Sequence, residues 1–176
     1  MKGLFFVLLA ALALSAAADP QSGPDPEKTA VVDEAGKPER WKLTFDGKPW
    51  KLVSADLNGT ATIRTYVPES QSLEHSEERL VTEYGRSRKD TPKILFDQFK
   101  TGMAKSCPTL EVQLIWEKED SLLFEWSCGG SLAQHSLKKI VRTPPDNFLI
   151  SYSRKGRMSP EDKKTWLAIL EAAEPQ

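Results

Sequence analysis

The chain has 176 residues, 28% of them charged, with 24 Lys+Arg against 25 Asp+Glu and a formal net charge of −1. A balance this even gives no electrostatic footprint for nucleic acid and no acidic tail. The two cysteines do not form a C-x-x-C, which excludes a thioredoxin-type redox motif.

The N-terminus reads MKGLFFVLLAALALSAAADP. One cation, Lys2, precedes an apolar run from Leu4 to Leu14, and small residues lead to an A-x-A before Asp19. This is the layout of a secretory signal peptide over residues 1–18. The run is too short for an ordinary membrane span, and no other stretch is long enough, so no integral span is expected after cleavage. The expected location is periplasmic or secreted. Lys2 is the one charge in residues 1–18, so the 24 basic side chains become 23 against 25 acidic, a net of −2. Residues 19–39 hold four prolines and little apolar surface. Such a segment cannot offset its ordering entropy by burial and reads as a flexible, Pro-rich lead. Residues 40–176 are expected to form a single domain, long enough to build a core without several disulfides.

RWKLTF alternates Trp41, Leu43 and Phe45 with polar residues and predicts a strand. Asp46-Gly47 is a hairpin signal, with WKLVS as the return strand. Asn58-Gly59 supplies a second turn, and TATIRTYV then alternates until Pro68. Three antiparallel strands in a meander are the economical reading. The segment 72–84 fits a short helical turn near 72–77 followed by a strand with Leu80, Thr82 and Tyr84 on one side.

The spacing of Leu95, Phe99 and Met103, widened by Ile94 and Phe96, predicts a helix over 91–106. Asp90 or Thr91 can cap it, Pro92 suits its first turn, and Pro108 stops it. LEVQLIW places Leu110, Val112, Leu114 and Trp116 on one strand face. After the EKED turn, LLFEWSC places Leu122, Phe124, Trp126 and Cys128 on one face. LAQHSLKKIVRT is a further strand, Pro144 to Asn147 a turn, and FLISYS the last strand. Ser159, Pro160 and Asp162 open a terminal helix whose stripe is Trp166, Ile169, Leu170 and Ala173. Strands cluster rather than alternating with helices. The predicted class is α+β: an antiparallel sheet of about six to eight strands, ending in a four-strand meander, with two main helices packed on one face.

Cys107 and Cys128 flank the predicted hairpin, which brings a residue before its first strand beside one after its second. A disulfide is the favoured reading over free thiols or metal ligands, and closing about twenty residues contributes roughly 3 kcal/mol in the chain-entropy model. His75, Cys107, Cys128 and His135 show none of the tight pairs of a metal finger. His75 lies among Glu74, Glu77 and Glu78 and reads as a solvated turn. His135 shares a strand face with Ala133, Leu137 and Val141 and reads as a partly buried packing residue. No nucleophile elbow, paired apolar carboxylates or phosphate loop is present. No catalytic residue, cofactor or metal site is therefore expected. Three basic clusters remain, Arg86-Ser87-Arg88-Lys89, Lys138-Lys139 with Arg142, and Arg154-Lys155-Gly156-Arg157, together with five tryptophans. The candidate ligand or partner surface comprises Trp116, Trp126, Arg154, Lys155 and Arg157.

The segments IRTYVPESQSLEHSEERLVTEY, SCP, WSCGG, QHSLKKIVRT and LISYSRKGRMSPEDKKTWLAIL together resemble a loose group of small exported bacterial proteins of unknown function. The resemblance covers about 60–176. It implies an exported bacterial protein of this layout and assigns no catalytic residue. The layout is also similar to the PsbP/Mog1-like fold, a non-catalytic scaffold.

The sequence thus points to a non-enzymatic exported binding or accessory protein, its partner an unknown envelope protein or small ligand. A carrier of a hydrophobic or anionic small ligand is the alternative, and a hydrolase is the third. A pocket joining His135 to a nucleophile and a carboxylate would favour the third.

Overall fold

The computed structural model describes residues 41–42, 45–86, 89–130 and 133–176, all within the unit Val31–Gln176. The signal peptide and the lead, residues 1–39, lie outside the described residues.

In chain order the elements are β1 (Trp41–Lys42), β2 (Trp50–Asn58), β3 (Ala61–Pro68), β4 (Glu78–Gly85), α1 (Pro92–Ser106), β5 (Glu111–Lys118), β6 (Ser121–Cys128), β7 (Gln134–Thr143), β8 (Asp146–Lys155), α2 (Pro160–Ala172) and β9 (Glu174–Pro175). Seven strands form one antiparallel sheet in the order β2-β3-β4-β8-β7-β6-β5. The class is α+β, and the C-terminal strands β5 to β8 run as a meander. The 72–84 segment resolves as a turn at 73–75 followed by β4.

Local chemistry accounts for most boundaries. Asn58 pairs with Ala61 around Gly59, whose φ of +62° a side chain would strain. Thr91 caps α1 by accepting from the Ile94 amide at 3.3 Å, with Pro92 in the first turn. Ser159 caps α2 by accepting from the Asp162 amide at 3.0 Å.

Three expectations are corrected. First, the helices lie on opposite faces of the sheet. Leu122, Phe124, Trp126, Ile140 and Leu149 pack with Leu95 and Phe96 of α1. Their strand neighbours Leu123, Phe148, Ile150 and Tyr152 pack with Trp166 and Leu170 of α2. The physical reason is that β6 and β8 carry continuous apolar runs, Leu122-Leu123-Phe124 and Phe148-Leu149-Ile150, all buried. A strand apolar on both sides requires cover on both.

Second, β1 pairs with β9, Trp41 opposite Pro175, rather than forming a hairpin with β2. Asp46 Oδ1 accepts from Trp50 Nε1 at 2.9 Å and from the Lys48 amide at 3.3 Å. The Asp46-Gly47 turn is therefore closed by its own side chain.

Third, β5 carries a bulge. Leu114 pairs with Phe124 but Trp116 pairs with Leu123, leaving Ile115 as the extra residue. An extra residue shifts the two-residue period by one. Val112 and Leu114 stay on the α1 side while Trp116 turns to the α2 side.

A polar cleft as candidate functional site

Cys107 and Cys128 form a disulfide across a Cα separation of 6.1 Å. Cys107 caps the C-terminus of α1 and Cys128 ends β6, so the bond ties helix to sheet. Both side chains are buried.

The other candidate residues are distributed over two faces. Trp126 is buried beneath α1, its ring 5.5 Å from that of Phe99. Trp116 lies on the α2 side, with Lys118 Nζ 5.1 Å and Lys139 Nζ 5.9 Å from its ring centre. Arg154 donates to Asp162 of α2 at 2.8 Å and lies 3.6 Å from Glu78. Lys155 pairs with Glu77 at 3.2 Å. These two cations tie β8 to α2 and to the segment before β4. Arg157 is exposed and, among the described residues, has no ion pair or hydrogen bond. The cluster on β7 divides between the two faces, and Ser87 and Arg88 of the first cluster lie outside the described residues. Lys138 reaches over Phe99 of α1, 5.4 Å from its ring centre, while its neighbour Lys139 turns to α2.

Arg157 opens into a cleft of about 250 Å³ on the α2 side of the sheet, whose floor is β5, β6 and the start of β7. Glu111, Glu125, Ser127, His135 and Lys163 share the cleft with it. Strand register assembles these residues. Ser127 lies opposite His135 and Glu125 opposite Leu137, so Glu125 and His135 are diagonal neighbours on one face. Lys163, in the first turn of α2, closes the group from above.

Glu125 is the hub. Its Oε1 accepts from His135 Nε2 at 2.6 Å and its Oε2 from Lys163 Nζ at 2.5 Å. Burial by itself would raise the Glu125 carboxyl, but the bonds from Lys163 and His135 outweigh it and hold the group below the usual carboxylate range. The Met158 amide donates to His135 Nδ1 at 3.1 Å. A nitrogen that accepts carries no hydrogen, so Nε2 is the ring's donor and faces Glu125. Ser127 Oγ donates to Glu111 Oε2 at 3.3 Å.

The cleft thus joins a histidine, a carboxylate and a hydroxyl, the combination named above for an enzyme. Their bonds run elsewhere, however. Both ring nitrogens of His135 are engaged, and the Ser127 hydroxyl points to Glu111. A general base needs a free lone pair aimed at its nucleophile, and this arrangement does not aim one.

Sequence reasoning placed His135 on the right face but took it for a packing residue, and did not single out Glu125. Ten residues separate the two, and only the β6–β7 register makes them neighbours. His75 lies exposed on the turn before β4. Among the described residues, no three His, Cys, Asp or Glu side chains come together as metal donors, and no helix is long and apolar enough to cross a membrane.

Two of the tryptophans pack together beneath α2. Trp166 is 1% exposed, stacks on Tyr152 at 4.0 Å between ring centres, and meets Trp50 edge-on at 5.5 Å. These rings fill the space between α2 and the sheet.

No protein-family model matches the chain, and no curated protein matches it. Among solved structures, cyanobacterial PsbP (CyanoP) from Synechocystis sp. PCC 6803 is similar at 13% identity and a TM-score of 0.49, over 77% of this chain and 86% of that one. The likeness concerns the chain path and carries nothing about activity or partner.

Proposed function

We propose that the chain is an exported, non-enzymatic binding or accessory protein. The observation that carries this reading is the bonding of His135. Its two nitrogens are held by Glu125 and by the Met158 amide, so the side chains of catalytic type form a fixed polar floor suited to recognition rather than turnover. Export is supported by the signal-peptide layout of residues 1–18 and by the Cys107–Cys128 bond, since disulfides persist in oxidising compartments.

The test combines location with chemistry. Intact mass of the protein recovered from producing cells is expected to begin at Asp19, outside the cytoplasm. The mature chain is expected to leave ester, peptide and phosphate substrates unchanged. A full-length cytoplasmic product would overturn export. Turnover abolished by His135→Ala would overturn the non-enzymatic role.

The carrier reading keeps one specific support, the open guanidinium of Arg157 at the cleft. The apolar space between α2 and the sheet is occupied by Trp166, Tyr152 and Trp50, so the hydrophobic form of that reading has no comparable support.

A further inference from the structure

The charges of the cleft fall into two sets. Glu125 and Lys163 neutralise one another, and His135 Nε2 bonds the same carboxylate. Arg157 and Glu111 remain, both exposed on the rim of the same space. They are not paired with each other. Arg157 has no partner among the described residues, and Glu111 accepts a single bond, from the neutral hydroxyl of Ser127 at 3.3 Å. The cleft therefore presents one open positive and one open negative group with no net charge between them. A simple anion drawn to Arg157 would meet Glu111, and a simple cation drawn to Glu111 would meet Arg157. A dipolar molecule satisfies both, because each end finds its opposite charge.

Size narrows the class. At about 250 Å³ the cleft is smaller than the roughly 300–1,000 Å³ of drug-sized sites. Gln113 and Ser127 supply further polar atoms on the floor, and the sheet and α2 wall the space on two sides.

We propose that this cleft binds a small zwitterion of the α-amino-acid class, its carboxylate on Arg157 and its ammonium on Glu111. The proposal rests on the reading of the cleft as a recognition site.

The experiment is an amide NMR titration of the disulfide-bonded mature chain at low ionic strength, using the free proteinogenic amino acids as probes. N-acetyl amino acids and amino-acid amides serve as controls lacking one charge each. At least one free amino acid is expected to give saturable shifts at Gln113, Ser127 and Arg157, with a dissociation constant on the order of 0.1–1 mM. Blocking either end, or making Arg157→Ala or Glu111→Gln, is expected to weaken binding about tenfold. Both residues are exposed, so the variants are expected to keep the wild-type melting temperature. The proposal is overturned if no free amino acid shifts these amides, if either blocked form binds as well as the free one, or if either variant binds as well as wild type. The same spectra separate the two readings. Conversion of the amide probes to free acids would end the non-enzymatic reading while leaving the site. Absence of binding, with a discrete envelope partner still cross-linked through other residues, would end the zwitterion proposal alone.

Discussion

Lys139 Nζ donates to the carbonyl oxygen of Ala173 at 2.7 Å, and also reaches that of Glu171 at 2.9 Å. The lysine rises from the centre of β7 to the last turn of α2, where carbonyls lack helical partners and the helix dipole is negative. It is 6% exposed. Burial pushes its ammonium below the ordinary lysine value, with Lys118 adding to the effect and Glu174 and Glu171 opposing it. Lys139→Met is therefore expected to lower stability at pH 7 by about 1–2 kcal/mol through the unpaired carbonyls.

The pH dependence of that difference has a definite sign. A lysine whose folded value lies below its unfolded value carries its full burial cost at neutral pH. That cost is relieved as pH rises through the folded value towards ~10.4, because the unfolded chain then binds more protons. The stability gap between wild type and Lys139→Met should widen in that alkaline window. Tyr152, which burial and the nearby Glu78 and Asp162 push far above the ordinary tyrosine value, acts on both proteins and cancels in the difference. Urea unfolding at pH 7 and near pH 9.5 measures the gap, and a narrowing gap would contradict this account.

Glu125 has the opposite dependence. Its folded carboxyl lies below the unfolded value of ~4.3, so its contribution is present above that value and is lost as pH falls through the folded one. Glu125→Gln should cost about 1–3 kcal/mol at pH 7, since it leaves Lys163 without its carboxylate. The deficit should shrink on acidification through and below pH ~4. A deficit independent of pH would show that the bond to Lys163 is not the source.

His135 should be the Nε2–H tautomer whenever the ring is neutral, because the Met158 amide occupies Nδ1. Long-range proton–nitrogen correlation distinguishes the two ring nitrogens. Finding the hydrogen on Nδ1 would refute the assigned bond and reopen His135 as a base.

Peptide mapping without reductant should recover Cys107 linked to Cys128. Replacing both by serine is expected to lower stability by roughly 3 kcal/mol. Two alkylated thiols in the exported protein would be the contrary result.

Trp166→Ala should be among the most damaging single changes, about 3–5 kcal/mol, because it empties the site between Tyr152 and Trp50. Chemical denaturation followed by circular dichroism gives the value directly.

Much of the architecture is local in origin and therefore readable along the chain. The caps Thr91 and Ser159, the prolines that follow them, the Asn58-Gly59 turn and the alternation in β3 act within a few residues. The spacing of Cys107 and Cys128 about one hairpin falls in the same class. These fix the α+β class, the meander and the disulfide.

Relations between distant elements had no such signal. The choice of helix face depends on which side of a doubly apolar strand each helix covers, and LLF and FLI runs look alike from either side. The bulge at Ile115, which sends Trp116 and Trp126 to opposite faces, changes the count by one residue that no propensity marks. The pairing of β1 with β9 joins the two ends of the folded part. The cleft is the extreme case: Glu125, His135, Lys163 and Arg157 come from two strands, a loop and a helix. Their types were visible in the sequence by itself, but their meeting required the β6–β7 register and the docking of α2. Local sterics and hydrogen bonding wrote the elements. Only tertiary packing decided which charges would neutralise one another and which, Arg157 and Glu111, would be left open.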